Sequence, residues 1–302
     1  MLNINTNYAA SFASNAAKSS SQGLNSAMEK LSTGMRINYA KDDAAGQAIS
    51  TRLSAEVQGL QMASRNAADA QSMIDTAEGA LQETHNVLLR MRELAVQSAN
   101  GTLTDGDRAH TDAEFNQLVA EVTRIANNTT WAGKNLLDGS VDGFAGTPAG
   151  ANPAVDPAVP ARPALSFQVG EGANQKISVE IDNMSAASLG TAQNTTGVDL
   201  TAAGLDTATN AQTAIISIDN AIDSVSKARG EMGAVSNRLS STMSNLDQIA
   251  VNLSASQGRI QDADFAQETG NLAKNQILQQ AATAMIAQAN ASKSSVLTLV
   301  RG

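Results

Sequence analysis

Two stretches of this sequence carry apolar residues at alternating steps of three and four, and each continues for many helical turns. This spacing places all members of a stretch on one side of an α-helix and is typical of coiled-coil packing. At about 1.5 Å per residue the stretches span roughly 50 Å and 60 Å, so we predict two long helices lying side by side as one rod. The first stripe consists of Leu60, Ala63, Ala67, Ala70, Ile74, Ala77, Leu81, Thr84, Leu88, Met91 and Ala95, and the second of Ile215, Ile218, Ile222, Val225, Arg229, Met232, Ser236, Leu239, Met243, Leu246, Ala250 and Leu253.

The composition agrees with closely packed helices. One Trp, two Tyr and five Phe make up 3% of the 302 residues, which is too little aromatic volume for a wide α/β enzyme core. Hydrophobic residues still account for 42%, and alanine supplies much of that fraction. Alanine favours helix and lets helices approach each other closely. We therefore predict a mainly α fold.

Three shorter patterns complete the outline. A helical repeat over residues 115–125 predicts a third helix of the bundle. Alternating apolar residues at 165–169 and 177–181 predict a small β-hairpin. All five prolines lie within residues 139–164, where proline excludes continuous helix, so we predict a Pro/Ala/Gly-rich loop or short insertion.

Both ends of the chain carry apolar stripes of their own. The C-terminal stripe follows Asp264, a predicted helix N-cap, and runs almost to the last residue, although chain ends normally fray. Cover for these stripes can come from the other terminal helix or from neighbouring subunits. Two helices alone leave much of each stripe exposed, which favours neighbouring subunits in addition. The predicted assembly residues are Leu24, Met28, Leu31, Leu278, Met285, Val296 and Leu299.

Several classes of function are disfavoured by the same sequence. The formal net charge of -9 gives no basic face for nucleic acid, and the absence of cysteine leaves no thiolate for metal binding or nucleophilic catalysis. His85 and His110 are isolated, and no phosphate-binding loop or serine elbow is present. We therefore predict no enzyme activity, no catalytic residue and no cofactor or metal. We also predict no membrane insertion, because no apolar window of about 18 residues occurs.

Several segments near both ends resemble bacterial flagellin. They occur in the family's order and together cover about residues 1–139 and 165–302. On the N-terminal side they are Leu31–Asn38, Ala40–Ile49, Met91–Ser98 and Gly133–Gly139, and on the C-terminal side Gly233–Arg238, Arg259–Asp264, Ile277–Ala281 and Ala287–Asn290.

The resemblance implies a subunit that polymerises into the helical filament used for motility. In such a subunit residues 1–43 pair with 260–302 as the terminal helices, called D0. Residues 44–138 with 165–259 form the helical bundle and β-hairpin, called D1. Residues 139–164 stand where larger family members carry a variable outer domain, so the resemblance implies a variable insertion with no folded outer domain. We expect the terminal helices to fold only on assembly, when burial between subunits offsets the loss of chain entropy.

The same resemblance implies partners and a destination. The chain is expected to be secreted through the flagellar type III export gate with the help of an export chaperone, and to reside in the extracellular flagellum. The flagellar cap and the hook-associated proteins are further expected partners. The residues that match a patch recognised by the innate receptor TLR5 are Arg90, Leu94 and Glu114.

Two other functions remain open from the sequence. A hook–filament junction protein would share the terminal helices but assemble only as a short collar. A soluble coiled-coil adaptor or secreted effector would stay a monomer or dimer at every concentration.

Overall fold

A computed structural model describes residues 6–139, 164–189 and 199–301, with side chains as far as Lys293 in the last range. Most of the predicted insertion at 139–164, and the side chains of Val296 and Leu299, lie outside the described residues. The described part is mainly helical, as predicted. Its helices are α1 (Tyr8–Thr33), α2 (Ala44–Ser98), α3 (Asp105–Asn128), α4 (Ala208–Gln261) and α5 (Phe265–Arg301), and its strands are β1 (Thr130–Trp131), β2 (Lys134–Asn135), β3 (Ala164–Gln168) and β4 (Lys176–Glu180).

The chain divides into two compact units. The terminal unit combines the residues up to Val57 with those from Val251 onward, and the central unit comprises Gln58–Ala250. Each unit therefore takes part of α2 and part of α4. The predicted D0 and D1 limits at 43/44 and 259/260 concern layers of a filament and stay a prediction.

The central unit is a helical bundle with one continuous core. Every member of the predicted α2 stripe is buried, including Thr84, whose hydroxyl donates to the carbonyl of Ala80. From α3, Phe115 and Val122 are completely buried. Two ion pairs show that α4 runs antiparallel to α2. Arg92 of α2 pairs with Asp219 of α4 at 2.6 Å, whereas Glu78, which comes earlier in α2, pairs with Arg229, which comes later in α4.

The α4 stripe differs from the prediction at alternate positions. Ile218, Val225, Met232 and Leu239 are buried as predicted, but the positions between them are shifted by one residue toward the N-terminus. Alanines occupy these shifted positions because a small side chain lets the helix backbone approach the core, and larger residues are then displaced to the flanks. The shifted set is Ala214, Ala221, Ala228 and half-buried Val235, whereas Ile215, Ile222, Arg229 and Ser236 flank the core half-buried.

The predicted hairpin is present as β3 and β4. The strands are antiparallel, with Leu165 opposite Val179 and Phe167 opposite Ile177. Alternate residues of β4 are buried, so one face of the hairpin closes the core of the central unit.

A second, smaller hairpin was not predicted. Strands β1 and β2 are joined by Ala132 and Gly133, both at positive φ (50° and 80°), which is the backbone that a two-residue hairpin turn requires.

Candidate assembly surface

Helices α1 and α5 are defined by explicit end signals. The Asn7 side chain caps α1 by accepting from the Ala10 N–H at 3.1 Å, and Gly34 ends it with a φ of 72°. The Asp264 carboxylate accepts from the N–H groups of Ala266 and Gln267, so the predicted cap at the start of α5 is confirmed.

The two terminal helices pack against each other as an antiparallel pair. At one end the Asn7 amide donates to the Ala289 carbonyl at 3.3 Å. At the other end the Lys30 ammonium lies 3.5 Å from the Glu268 carboxylate, and both side chains are largely shielded from solvent. These contacts fix which segment of α5 lies opposite each segment of α1.

Small residues form the inner face of this pair. Ala13, Ser20 and Ala27 are its buried positions on α1, and Ala282 is the buried position among the described side chains of α5. A Cβ added at Gly23 would lie 2.8 Å from the Asn275 amide, so the backbone of α1 comes very close to that side chain. Of the predicted assembly residues, Leu24 and Leu31 are half-buried at this inner face.

Large apolar residues of the pair remain exposed outside its inner face. Phe12 is 79% exposed and Met285 is 62% exposed. Monomeric proteins rarely expose so many large apolar side chains on one element pair. We call this set the outer apolar face: Tyr8, Phe12, Met28, Phe265, Ile277, Leu278 and Met285.

The prediction identified only part of this face. It named Met28, Leu278 and Met285, but it missed Tyr8, Phe12, Phe265 and Ile277 because they lie off the three-four stripe. The signal that could have found them is their size, since they include three of the chain's seven Phe and Tyr residues.

The two connections next to the helix pair are joined by hydrogen bonds. The Arg36 N–H donates to the Gln261 carbonyl at 2.6 Å and its guanidinium donates to the Ile260 carbonyl at 2.7 Å. The Ala263 N–H donates to the Gly34 carbonyl at 2.9 Å. The result is a short antiparallel main-chain contact, which we call the connector bridge.

The acidic residues after α1 shape a bend. The Asp42 carboxylate accepts from the Tyr39 N–H at 3.0 Å, and the Asp43 carboxylate accepts from the Gly46 N–H at 2.8 Å. Both carboxylates are used in turns. Nearby Glu29 raises the pKa of the Tyr39 phenol, chiefly through a side-chain hydrogen bond.

The predicted receptor patch is only partly at the surface. Arg90 on α2 pairs with Glu114 on α3 at 2.8 Å and with Glu93 at 3.0 Å. The hydrogen bond that Arg90 donates to Glu114, followed by the one that it donates to Glu93, raises the pKa of Arg90. Leu94, in contrast, is 2% exposed and belongs to the core of the central unit. The structure brings Arg90 and Glu114 together and places Leu94 beneath the surface.

Within residues 6–139, 164–189 and 199–301, no cluster of three His, Cys, Asp or Glu side chains is arranged to hold a metal ion. The described helices include none that combines the length and the apolar character needed to cross a membrane.

Comparison with known proteins agrees with this architecture. A family model described as the bacterial flagellin N-terminal helical region matches residues 4–142, and the corresponding C-terminal model matches residues 215–300. A flagellin of Halalkalibacterium halodurans is 42% identical over 275 residues, which is 91% of each chain. A flagellin of Bacillus subtilis is 41% identical over 318 residues, covering 99% of this chain and 100% of that one.

One solved structure supports the fold at greater distance. It is described as a flagellar hook-associated protein from Vibrio parahaemolyticus, and it has 17% sequence identity and a TM-score of 0.56 over 73% of this chain and 100% of that chain.

An outer apolar face on paired terminal helices, in a chain with a separate bundle, defines a structural protein that assembles with copies of itself. The chain belongs to the bacterial flagellin family. It is a subunit of a self-polymerising flagellar filament and not an enzyme.

Proposed function

We propose that the chain polymerises by burying its outer apolar face against neighbouring copies. One observation carries this proposal: the helix pair buries alanine and serine inside while it exposes Phe, Tyr, Met, Ile and Leu outside. An intramolecular pair that had evolved only for its own stability would bury the larger groups. Burial of one such side chain contributes about 1.5–3 kcal/mol, so several together can drive assembly.

The charge distribution on α5 supports the same surface. No Asp, Glu, Lys or Arg occurs from Asn275 through Ser292, although this segment spans several turns of a helix rich in exposed residues. Burial of this segment therefore carries no cost for desolvating an ionised side chain. A helix face that only contacted water would not need this composition.

The residue-level test introduces a charged side chain into the outer apolar face. Met285→Asp should abolish filament growth, because the carboxylate would have to lose its hydration in an apolar contact. Met285→Leu should retain growth, and Met62→Asp, at an exposed methionine of the central unit, controls for the charge itself. Filament growth is followed by light scattering and electron microscopy. Normal filaments from Met285→Asp would contradict the proposal.

We also propose that stable order of α1 and α5 depends on assembly, in the D0 and D1 division predicted above. Ordering costs about 1–2 kcal/mol per residue, and the small inner face supplies limited burial to offset it. Circular dichroism of depolymerised protein should show less helix than the filament, with proteolysis confined to the ends. Full helicity and resistant ends in the depolymerised protein would refute this. A chain ending at Ile277 should keep the central unit folded and fail to polymerise.

The remaining partners follow as proposals from the family. An apolar face exposed on a single subunit needs cover before assembly, and this supports binding by an export chaperone on the way to the export gate. Contacts with the cap and the hook-associated proteins, and an extracellular location, complete this proposal. The organism's export chaperone should bind wild-type protein more tightly than Met285→Asp in a pull-down. Equal binding would separate chaperone recognition from the assembly surface.

A role in recognition by TLR5 is proposed on the exposed Arg90–Glu114 pair. Arg90→Ala should lower signalling in reporter cells, whereas Arg124→Ala, which removes a similarly exposed ion-paired arginine of α3, should leave it unchanged. Leu94→Ala removes a core contact, so its unfolding must be measured before any signalling loss is assigned to the receptor. Equal signalling by Arg90→Ala and wild type would contradict this role.

The hook–filament junction alternative predicts a different assembly product. Purified protein that forms only a short collar under seeded growth would favour it, whereas long filaments favour the flagellin function.

A further inference from the structure

The loop between α2 and α3 contains the only Asn-Gly sequence of the chain, Asn100–Gly101. Both residues are exposed. Glycine has no Cβ to shield its own nitrogen, so the asparagine side chain before a glycine is unusually open to attack by the following backbone amide. The loop therefore holds the sequence in which spontaneous loss of the side-chain amide is easiest.

A hydrogen bond holds the Asn100 side chain close to the main chain that follows it. The Asn100 side-chain oxygen accepts from the Thr102 N–H at 3.2 Å, which folds the side chain back over the main chain of residues 101 and 102. The Gly101 N–H makes no hydrogen bond to any residue that the structure describes. Its nitrogen is consequently not held away from the Asn100 side chain by another contact.

The second unusual feature of this loop is Arg108. This residue is only 5% exposed, yet no carboxylate in the described part of the chain lies within ion-pair distance of it. Its guanidinium instead donates to the Asn100 carbonyl at 2.9 Å and to the Leu103 carbonyl at 3.4 Å. A buried cation balanced by carbonyl dipoles alone would be stabilised further by a negative charge at the same place.

We propose that Asn100 is a site of self-modification, which converts in the folded protein to aspartate and isoaspartate, and that Arg108 is the counter-ion of the isoaspartate carboxylate. The Gly101 nitrogen, after its proton is lost to solvent, bonds to Asn100 Cγ. The Cγ–Nδ2 bond breaks, and Nδ2 takes up a proton and leaves as ammonia. The product is a five-membered succinimide.

Water then opens the succinimide ring. Hydrolysis at Cγ gives aspartate, and hydrolysis at the former main-chain carbonyl carbon gives isoaspartate, in which the chain continues through Cβ and Cγ. One water is consumed and one ammonia is released overall. In the isoaspartate, the oxygen that now accepts from Arg108 becomes part of a free carboxylate. The contact between a cation and a neutral carbonyl thus becomes a contact between opposite charges.

The rate is tested on the purified full-length chain, incubated in buffer and analysed by peptide mapping with isoaspartyl methyltransferase labelling. Asn237, exposed on α4 and followed by arginine, is the internal reference. Conversion should be several-fold faster at Asn100 than at Asn237. Gly101→Ala should slow it several-fold, and this variant fits because an added Cβ would meet no atom within 4 Å. Equal rates at the two asparagines, or an unchanged rate in Gly101→Ala, would overturn the site.

The counter-ion role is tested by thermal unfolding. The isoaspartate-containing fraction separated by ion exchange should melt at or above the temperature of unmodified protein. Asn100→Asp, which keeps the neutral main-chain carbonyl that Arg108 contacts, is the matched control and should show a smaller gain or none. The gain of the isoaspartate fraction should be smaller in an Arg108→Gln background, which keeps hydrogen-bond donors but removes the charge. Melting of the isoaspartate fraction below the unmodified protein, or an equal gain without Arg108, would overturn this role.

Discussion

The central bundle and the terminal helix pair are built from the same kind of long amphipathic helix, but they bury different residues. The bundle encloses large side chains such as Phe115, Leu81 and Met91, all fully buried. The pair encloses alanine and serine and leaves Phe12 and Met285 outside. A three-four repeat therefore shows that a helix has a face to cover, whereas the size of the buried residues shows whether the covering is complete within one subunit.

The largest difference between the two units is expected when a phenylalanine is replaced by alanine in each of them. Phe115→Ala should lower the free energy of unfolding of the central unit by about 3–5 kcal/mol, because it empties a filled core position. Phe12→Ala should leave unfolding of the unassembled chain within about 0.5 kcal/mol and should weaken the filament instead. Denaturant unfolding and the critical concentration for filament growth measure the two effects. A large unfolding change from Phe12→Ala would show that the pair is complete by itself.

Replacing a buried alanine by leucine in each unit tests the same difference at the small residues. Ala67 in the bundle and Ala27 in the pair are 0% and 3% exposed, so leucine at either position has to displace its neighbours. We expect Ala67→Leu to destabilise the central unit by about 1–3 kcal/mol. Ala27→Leu should disturb only filament stability, seen as a lower melting temperature of filaments with an unchanged central unit. Equal central-unit losses for both variants would contradict the division into two units.

Gly→Ala substitutions distinguish positions where two helices approach closely from positions where alanine only improves helix propensity. Gly79 in α2 has open space around an added Cβ, so Gly79→Ala should stabilise the central unit by about 0.5–1 kcal/mol. Gly270→Ala in α5 has the same open space and is its matched counterpart. Gly23→Ala should instead weaken the filament, because the Asn275 side chain would have to move away from the added Cβ. A stabilising Gly23→Ala, measured by filament melting, would show that the inner face is loosely packed.

The smallest expected effect concerns the cap of α3. Thr104 donates to the Asp107 carboxylate through its hydroxyl and its N–H, at 2.7 Å and 3.1 Å, and these bonds lower the pKa of Asp107 below its ordinary 3.8. A lowered carboxyl pKa stabilises the fold above the ordinary value, and this contribution is lost as pH falls below 3.8 through the folded-state pKa. Thr104→Val should raise the Asp107 pKa in an NMR titration. An unchanged pKa would assign the shift to another group.

Much of the fold can be predicted from the periodicity of apolar residues, and the prediction fails only at particular positions. The α2 stripe was predicted residue by residue, because apolar and buried positions coincide there. On α4 the pattern selected Ile215 and Ile222 where the structure buries Ala214 and Ala221. Periodicity favours the more apolar residue, whereas the core favours the one that lets the backbone approach.

The candidate surface was less predictable for a different reason. A pattern indicates that Met285 needs cover, but it gives no information about Phe12, which lies off the stripe and is exposed in a single copy. The receptor patch came from resemblance alone, and resemblance says nothing about burial. Leu94 was therefore named together with Arg90 although only the arginine reaches the surface.

The connector bridge has a mechanical consequence. Because main-chain groups of residues 34–36 and 260–263 hold each other, α1 and α5 cannot slip lengthwise past one another without breaking both main-chain hydrogen bonds. A load applied to either helix is shared by both. Within a filament under torque, the two ends would consequently be fastened to each other largely by backbone atoms, which side-chain replacements in these connections leave in place.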